Sequence, residues 1–117
     1  MEDTTSTDAA RVAQRRLSAR VFSKAQYRIE VMAAIAEGDG LVNLSELADL
    51  LGDPPGTGSV GTELKTLRRA GLLASIEARR SDRKKFFRRR DSPLWEASVW
   101  LRDHAAELLD IAHEQGM

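Results

Sequence analysis

The residues best able to do chemistry crowd into one stretch: Arg79, Arg80, Arg83, Lys84, Lys85, Arg88, Arg89 and Arg90, against the single acid Asp82. Cations packed this densely repel one another, and a phosphate backbone relieves that repulsion well. The chain as a whole carries 18 basic and 18 acidic side chains, for a formal net charge of zero. Its charge is sorted along the sequence. Segment Arg11–Arg28 adds Arg11, Arg15, Arg16, Arg20, Lys24 and Arg28 without an acid, whereas Asp91–Glu114 sets Asp91, Glu96, Asp103, Glu107, Asp110 and Glu114 against Arg102 alone. Sorted charge creates a local field even when the total vanishes.

Other chemistries find few residues to use. There is no cysteine, which removes disulfides, thiolate nucleophiles and Cys-built zinc sites. The two histidines, His104 and His113, are nine positions apart and point to opposite faces of a helix. Asp110-x-x-His113 supplies at most two ligands, so no metal site is expected. Scattered hydroxyls, with no Gly-rich phosphate loop after a strand, leave no nucleophile beside a positioned base, and neither an enzyme nor a cofactor is expected. No run approaches the roughly 18 apolar residues of a membrane span. The start, Met1–Asp8, is acidic and polar, unlike an export signal. The expectation is a cytoplasmic, nucleoid-associated protein.

Periodicity then supplies the elements that must position these residues. Residues 1–7 read as a disordered tail, and Ala9, Ala13, Leu17 and Val21 give one apolar helical face over 8–22. Ser23 and Gln26 have capping-box spacing, opening a helix with Ala25, Ile29, Met32 and Ala36 on one stripe until Gly38-Asp-Gly40. Leu41-Val42 reads as a short strand. Asn43 and Glu46 again have cap spacing, before a helix with Leu44, Leu47, Ala48 and Leu51 inward. Two prolines and three glycines between Gly52 and Gly58 force a turn.

A helix follows from Ser59, with Val60, Leu64 and Leu67 inward, ending at Ala70-Gly71 through a left-handed cap. Leu72–Ala78 and the stretch from Phe86-Phe87 read as a hairpin whose tip holds the cations. Alternation sends one phenylalanine inward, where core packing is favoured over stacking on bases. Ser92-Pro93 opens a last helix to about Gln115. In it Leu94, Leu101 and Leu108 repeat every seven residues with Ala97, His104 and Ile111 between them, the seam pattern of helix pairing.

The predicted fold is therefore mainly α with a small β-hairpin wing. The order helix, strand, helix, turn, helix, hairpin over residues 23–90 is that of a winged helix-turn-helix domain, here with added N- and C-terminal helices (8–22 and 91–117). Arg28-Ile-Glu-Val-Met-Ala-Ala-Ile-Ala-Glu-Gly38, Leu44-Ser-Glu-Leu-Ala-Asp-Leu-Leu-Gly52 and Val60-Gly-Thr-Glu-Leu-Lys-Thr-Leu-Arg-Arg-Ala-Gly-Leu72 resemble the ArsR and MarR regulator superfamilies. The most specific part is Leu-x-x-Leu-x-x-Ala-Gly-Leu. Seven residues between Gly52 and Val60 make a longer turn than these families usually have.

The resemblance implies that the helix from Ser59 enters the major groove of double-stranded DNA. Helical geometry puts Ser59, Thr62, Lys65, Thr66 and Arg69 opposite its buried stripe, with Glu63 nearer the core and Gly61 permitting close approach. An ordinary solvated face is the alternative for these residues. In such regulators the wing lies along the backbone or minor groove, which gives Arg79, Arg80, Arg83, Lys84 and Lys85 the anchoring role.

Leu94, Trp95, Trp100, Leu101 and Leu108 are expected at a homodimer interface, because one small domain seldom needs two tryptophans for its own core. The basic first helix would then face acids such as Glu107 and Asp110 of the other copy. Transcriptional regulation, more often by repression, is the function implied. The alternatives are a winged-helix module for protein interaction or assembly, and an architectural DNA-binding protein. The sequence names no small-molecule effector.

Overall fold

The computed structural model describes residues 4–23, 25–52, 55–76 and 86–114. Within them the protein is mainly helical with a small antiparallel sheet. The chain order is α1 (Thr4–Val21), α2 (Arg28–Glu37), β1 (Leu41–Asn43), α3 (Leu44–Leu51), α4 (Thr57–Arg69), β2 (Leu73–Ile76), β3 (Phe86–Arg89), α5 (Pro93–Asp103) and α6 (Ala105–Glu114).

The central element is α2. Ile29, Val31, Met32, Ala33 and Ile35 are all buried on its ten residues, so it is enclosed on most sides, as a helix apolar nearly all round must be. One side meets Val42, Leu47, Val60, Leu64, Leu67, Leu73 and Trp95 in the main core. Ile29 turns the other way, joining Leu17 and Ala105 in a smaller cluster flanked by Phe22, Leu101, Leu108 and Leu109. The buried hydroxyl of Ser18 closes the α1–α2 turn, donating to the Ala25 carbonyl and accepting from Ile29 N at 3.1 Å.

Several local expectations hold. Asn43 Oδ1 accepts from Glu46 N at 3.0 Å, and Ser92 Oγ accepts from Leu94 N at 3.1 Å with Pro93 opening α5. After α4, Gly71 adopts φ +82°; its N–H reaches Arg68 O and that of Leu72 reaches Leu67 O, a complete Schellman motif.

Other boundaries move. The first helix starts at Thr4, so residues 4–7 are helical where a tail is predicted; residues 1–3 lie outside the described ones. No capping box opens α2: it starts at Arg28 after Tyr27, and Ser23, at φ +52°, belongs to the preceding turn. Thr57 and Gly58 extend α4 backwards from the expected start at Ser59, which leaves residues 52–56 between α3 and α4. The last helix divides at His104, whose φ of −112° leaves the helical range while Trp100 O still accepts from His104 N at 3.0 Å. Leu101 before the bend and Leu108 after it both pack against the cluster of Leu17 and Ile29.

The sheet runs β1-β3-β2, with β3 antiparallel to both neighbours. Register pairs Phe87 with Val42 and Ser75, and Arg89 with Leu73, so Val42, Leu73, Phe87 and Arg89 share the face turned to the core. Among the described residues no helix is long and apolar enough to cross a membrane.

Candidate nucleic-acid interface

Burial of Val60, Glu63, Leu64 and Leu67 fixes the rotation of α4. Ser59, Thr62, Lys65 and Arg69 are exposed on it, and Thr66 is half-buried at the edge. Thr62 Oγ1 donates to Gly58 O at 3.0 Å and Thr66 Oγ1 to Thr62 O at 3.1 Å. Those hydroxyl protons are committed to the helix, leaving acceptor lone pairs for a donor outside it. Lys65 and Arg69 contribute the charge. Gly61 differs from expectation, because Leu44 lies 3.7 Å from where its side chain would begin; the glycine faces α3 rather than open space.

The inward rim of α4 is held by charge. Arg28 Nε on α2 donates to Glu63 Oε2 at 2.8 Å, with only 9% of the Glu63 side chain exposed. Arg15 on α1 clasps the buried Glu30 through Nε and Nη2 at 3.0 and 3.3 Å. Two cations of the basic segment 11–28 are thus neutralised inside the fold. Since α1 packs on α6 of its own chain, the expected pairing with Glu107 and Asp110 across two copies loses Arg15.

The hairpin divides in the same way. The positions expected to anchor the wing, Arg79, Arg80, Arg83, Lys84 and Lys85, lie outside the described residues. Arg88 and Arg90 are exposed. Arg89 is turned inward: Nη1 donates to Ile35 O at 2.7 Å and Ala36 O at 2.8 Å, satisfying carbonyls at the end of α2. The sequence reading grouped Arg89 with the phosphate-binding cations. Strand alternation puts Arg89 on the face of Phe87, and the pairing of β3 turns that face to the core.

Between α4 and the ends of β2 and β3 lies a groove of about 360 Å³. Leu44, Leu64, Ile76, Phe86 and Phe87 make its apolar walls, and Lys65 and Arg68 stand on its α4 side. Sequence reasoning passed over Arg68, which lies at the flank of the helix, neither opposite the buried stripe nor within it.

On α5 the two tryptophans part company. Trp95 is 5% exposed in the main core, and its Nε1 donates to Arg90 O at 2.6 Å. It is a core residue, which corrects its assignment to an interface: Ser92 starts α5 at a phase that turns position 95 inward. Leu101 and Leu108 pack largely within one chain. Leu94 and Trp100 remain outward, each 51% exposed, and Ile111 on α6 is exposed as well. The His104 ring stacks on that of Trp100 with centroids 4.3 Å apart.

Arg102 on α5 grips Glu37 at the end of α2, with a second contact at 3.2 Å, and its Nε donates to Asp103. That hydrogen-bonded guanidinium holds the Glu37 carboxyl below its ordinary value. Among the described residues no group of three His, Asp or Glu side chains is arranged to hold a metal. No protein-family model, no curated protein and no solved structure matches the chain.

Proposed function

We propose that the chain is a winged helix-turn-helix protein that binds double-stranded DNA as a homodimer and regulates transcription, more often by repression. The observation that carries this reading is the outward face of α4: two hydroxyls and two cations, Ser59, Thr62, Lys65 and Arg69, beside a hairpin that leads in sequence into the cation run. The element order and the β1-β3-β2 sheet support it as well. In this reading Lys65, Thr66 and Arg69 meet base edges or phosphates, and Arg79 to Lys85 lie along the backbone. The exposed Leu94, Trp100 and Ile111 join two copies, so that two copies of α4 reach successive major grooves. No catalysis and no cofactor are invoked.

Fluorescence anisotropy at several salt concentrations tests this, with mixed genomic DNA and with a sequence selected from a random pool. Replacing Arg83, Lys84 and Lys85 by alanine should weaken binding to both duplexes alike and flatten the log–log salt dependence by about 0.9 per lost contact. Alanine at Thr62, Thr66 and Arg69 should cost about 1–3 kcal/mol on the selected sequence and little on mixed DNA. No binding to either duplex below about 10 µM at roughly 100 mM salt overturns the proposal. Equal binding to both, with helix and hairpin variants alike, assigns an architectural role instead.

A second reading, an interaction or assembly module, draws on one observation. Leu41 and Leu50 are 51% and 73% exposed beside a shallow cleft that also includes Ala34 and Leu47. Such a patch commonly marks a protein contact.

A further inference from the structure

We infer that the face formed by the end of α2, β1 and α3 docks a basic segment of another protein, one that presents an apolar side chain flanked by lysine or arginine. The proposal names the partner of the contact surface in the second reading and rests on that surface being a protein contact; it holds with or without DNA binding. Leu41 is 51% exposed and Leu50 73%, although the neighbouring Val42 and Leu47 are buried. Both exposed leucines line a cleft of about 130 Å³, walled also by Ala34, Ile35, Val42 and Leu47. That space takes one aliphatic side chain and is well below the roughly 300 Å³ at which small-ligand sites begin. Covering the two leucines and filling the cleft is favourable in proportion to the apolar surface removed from water.

Charge selects the kind of segment. From Glu37 to Gly52 the chain carries four acids, Glu37, Asp39, Glu46 and Asp49, and no lysine or arginine. All four are exposed. Glu46 lines the cleft itself, and Asp39 sits beside Leu41, accepting from Leu41 N at 3.0 Å. Asp49 precedes Leu50 in the last turn of α3. Arg102 offsets Glu37, but Asp39, Glu46 and Asp49 have no ion pair among the described residues. Leu50 also borders a wider cleft lined by Arg11 and Arg102 as well as Glu30 and Glu37; charge is balanced there, and the acidic excess stays on the Leu41 side. Phosphate and anionic lipid would meet like charge on this face, whereas a cation beside an apolar anchor finds three unopposed carboxylates. A second copy docking by the same face would set acids against acids, and docking head to tail would leave the face open at the end of every string of copies. The face therefore suits a different, basic chain.

Selection of peptides of about twelve residues from a fully random display library tests this, with the full chain as target and its Leu41→Ser, Leu50→Ser double variant as counter-target. Recovered peptides should carry net positive charge and at least one large apolar residue. The tightest, made synthetically, should bind wild type about tenfold or more better than the double variant, the loss expected when an apolar anchor goes uncovered. Glu46→Gln with Asp49→Asn should weaken it about threefold, and so should raising salt from about 50 to 500 mM. Methyl resonances of Leu41, Leu47 and Leu50 in the wild type should shift on binding while that of Ile76 stays still, a readout that needs no variant to fold. Peptides that require Leu41 and Leu50 but are neutral or acidic would overturn the basic partner and leave the contact surface standing. Failure to recover any peptide that distinguishes wild type from the double variant, or shifts confined to other methyls, would overturn both. Self-association that the double variant abolishes in sedimentation would give the face to a second copy and overturn the proposal.

Discussion

Arg28 Nε and Glu63 Oε2 sit 2.8 Å apart, joining the central helix α2 to the inner edge of α4. Glu63 is nearly buried and Arg28 about one-fifth exposed, so each is the other's principal compensation for leaving water. The pair sets the rotation of α4 from inside, while Val60, Leu64 and Leu67 anchor it by packing. Removing both partners should therefore cost less than the two single removals added together. Glu63→Ala or Arg28→Ala is expected to lose about 1–3 kcal/mol in urea unfolding, and the double variant less than the sum. Additive losses would mean that the two side chains act separately.

Arg89 is expected to be as important to the fold as a core residue. Its guanidinium ties the hairpin to the last carbonyls of α2, adding to the bond that Ile35 O accepts from Gly38 N. Arg89→Ala should destabilise the protein by about 1.5–3 kcal/mol, the usual range for hydrogen bonds to a charged group. Arg88→Ala, on the exposed face of the same strand, should cost less than about 0.5 kcal/mol. The contrast can be read by thermal or urea denaturation. Equal effects would show that the inward turn of Arg89 adds nothing.

Where one local interaction decided an element, the sequence was a good guide. Asn43 with Glu46, Ser92 with Pro93, and Gly71 after Ala70 each mark a boundary close to where the chain puts it, because a cap needs only neighbours in sequence. Ser23 and Gln26 have the same spacing as Asn43 and Glu46, yet tertiary geometry overrides it. Ser18, eleven residues before Ile29, takes the Ile29 amide, and the helix begins later. The exposed side of α4 was legible for a similar reason, since one buried stripe dictates its opposite. What was hidden depended on partners distant in sequence: Arg15 with Glu30, Arg89 with α2, and Trp95 with the main core. The seven-residue repeat was genuine, but its members do not share one environment: Leu101 and Leu108 pack inward while Leu94 stays exposed.

Acid should loosen the junction of α2 and α5. Glu37 titrates below its ordinary value of 4.5 because Arg102 donates hydrogen bonds to its carboxylate. A carboxyl depressed in the folded state binds protons more readily when unfolded. Its contribution is thus fully present above about pH 4.5 and disappears as the pH falls through the lower folded value. Glu37 is 54% exposed, so the contribution is below about 1 kcal/mol. The gap in melting temperature between wild type and Glu37→Gln should be constant from neutral pH to about 5 and shrink below 4. A gap that widens in acid would assign the effect to another group.

Association between copies should depend on the outer members of the repeat and be little affected through the inner ones. Leu94 and Trp100 are each half exposed, whereas Leu101 and Leu108 pack against the cluster of Leu17, Ile29 and Ala105 in the same chain. An exposed tryptophan flanked by leucine suits a central anchor, whose truncation can cost an interface 2 kcal/mol or more, about thirtyfold in dissociation constant. The stacked His104 ring widens that apolar surface. Sedimentation equilibrium should find a dimer at about 50 µM protein and a monomer for Leu94→Glu with Trp100→Glu, with unfolding free energy per chain unchanged within about 0.5 kcal/mol once the association term is separated by varying protein concentration. Leu101→Ala and Leu108→Ala should act in the opposite sense, lowering intrinsic stability by about 1–3 kcal/mol while whatever remains folded still associates. A wild-type monomer at that concentration removes the interface, and with it the proposal that two copies of α4 read adjacent grooves. A dimer untouched by Leu94→Glu with Trp100→Glu moves the contact elsewhere, and the exposed Leu41 and Leu50 become the residues to vary next.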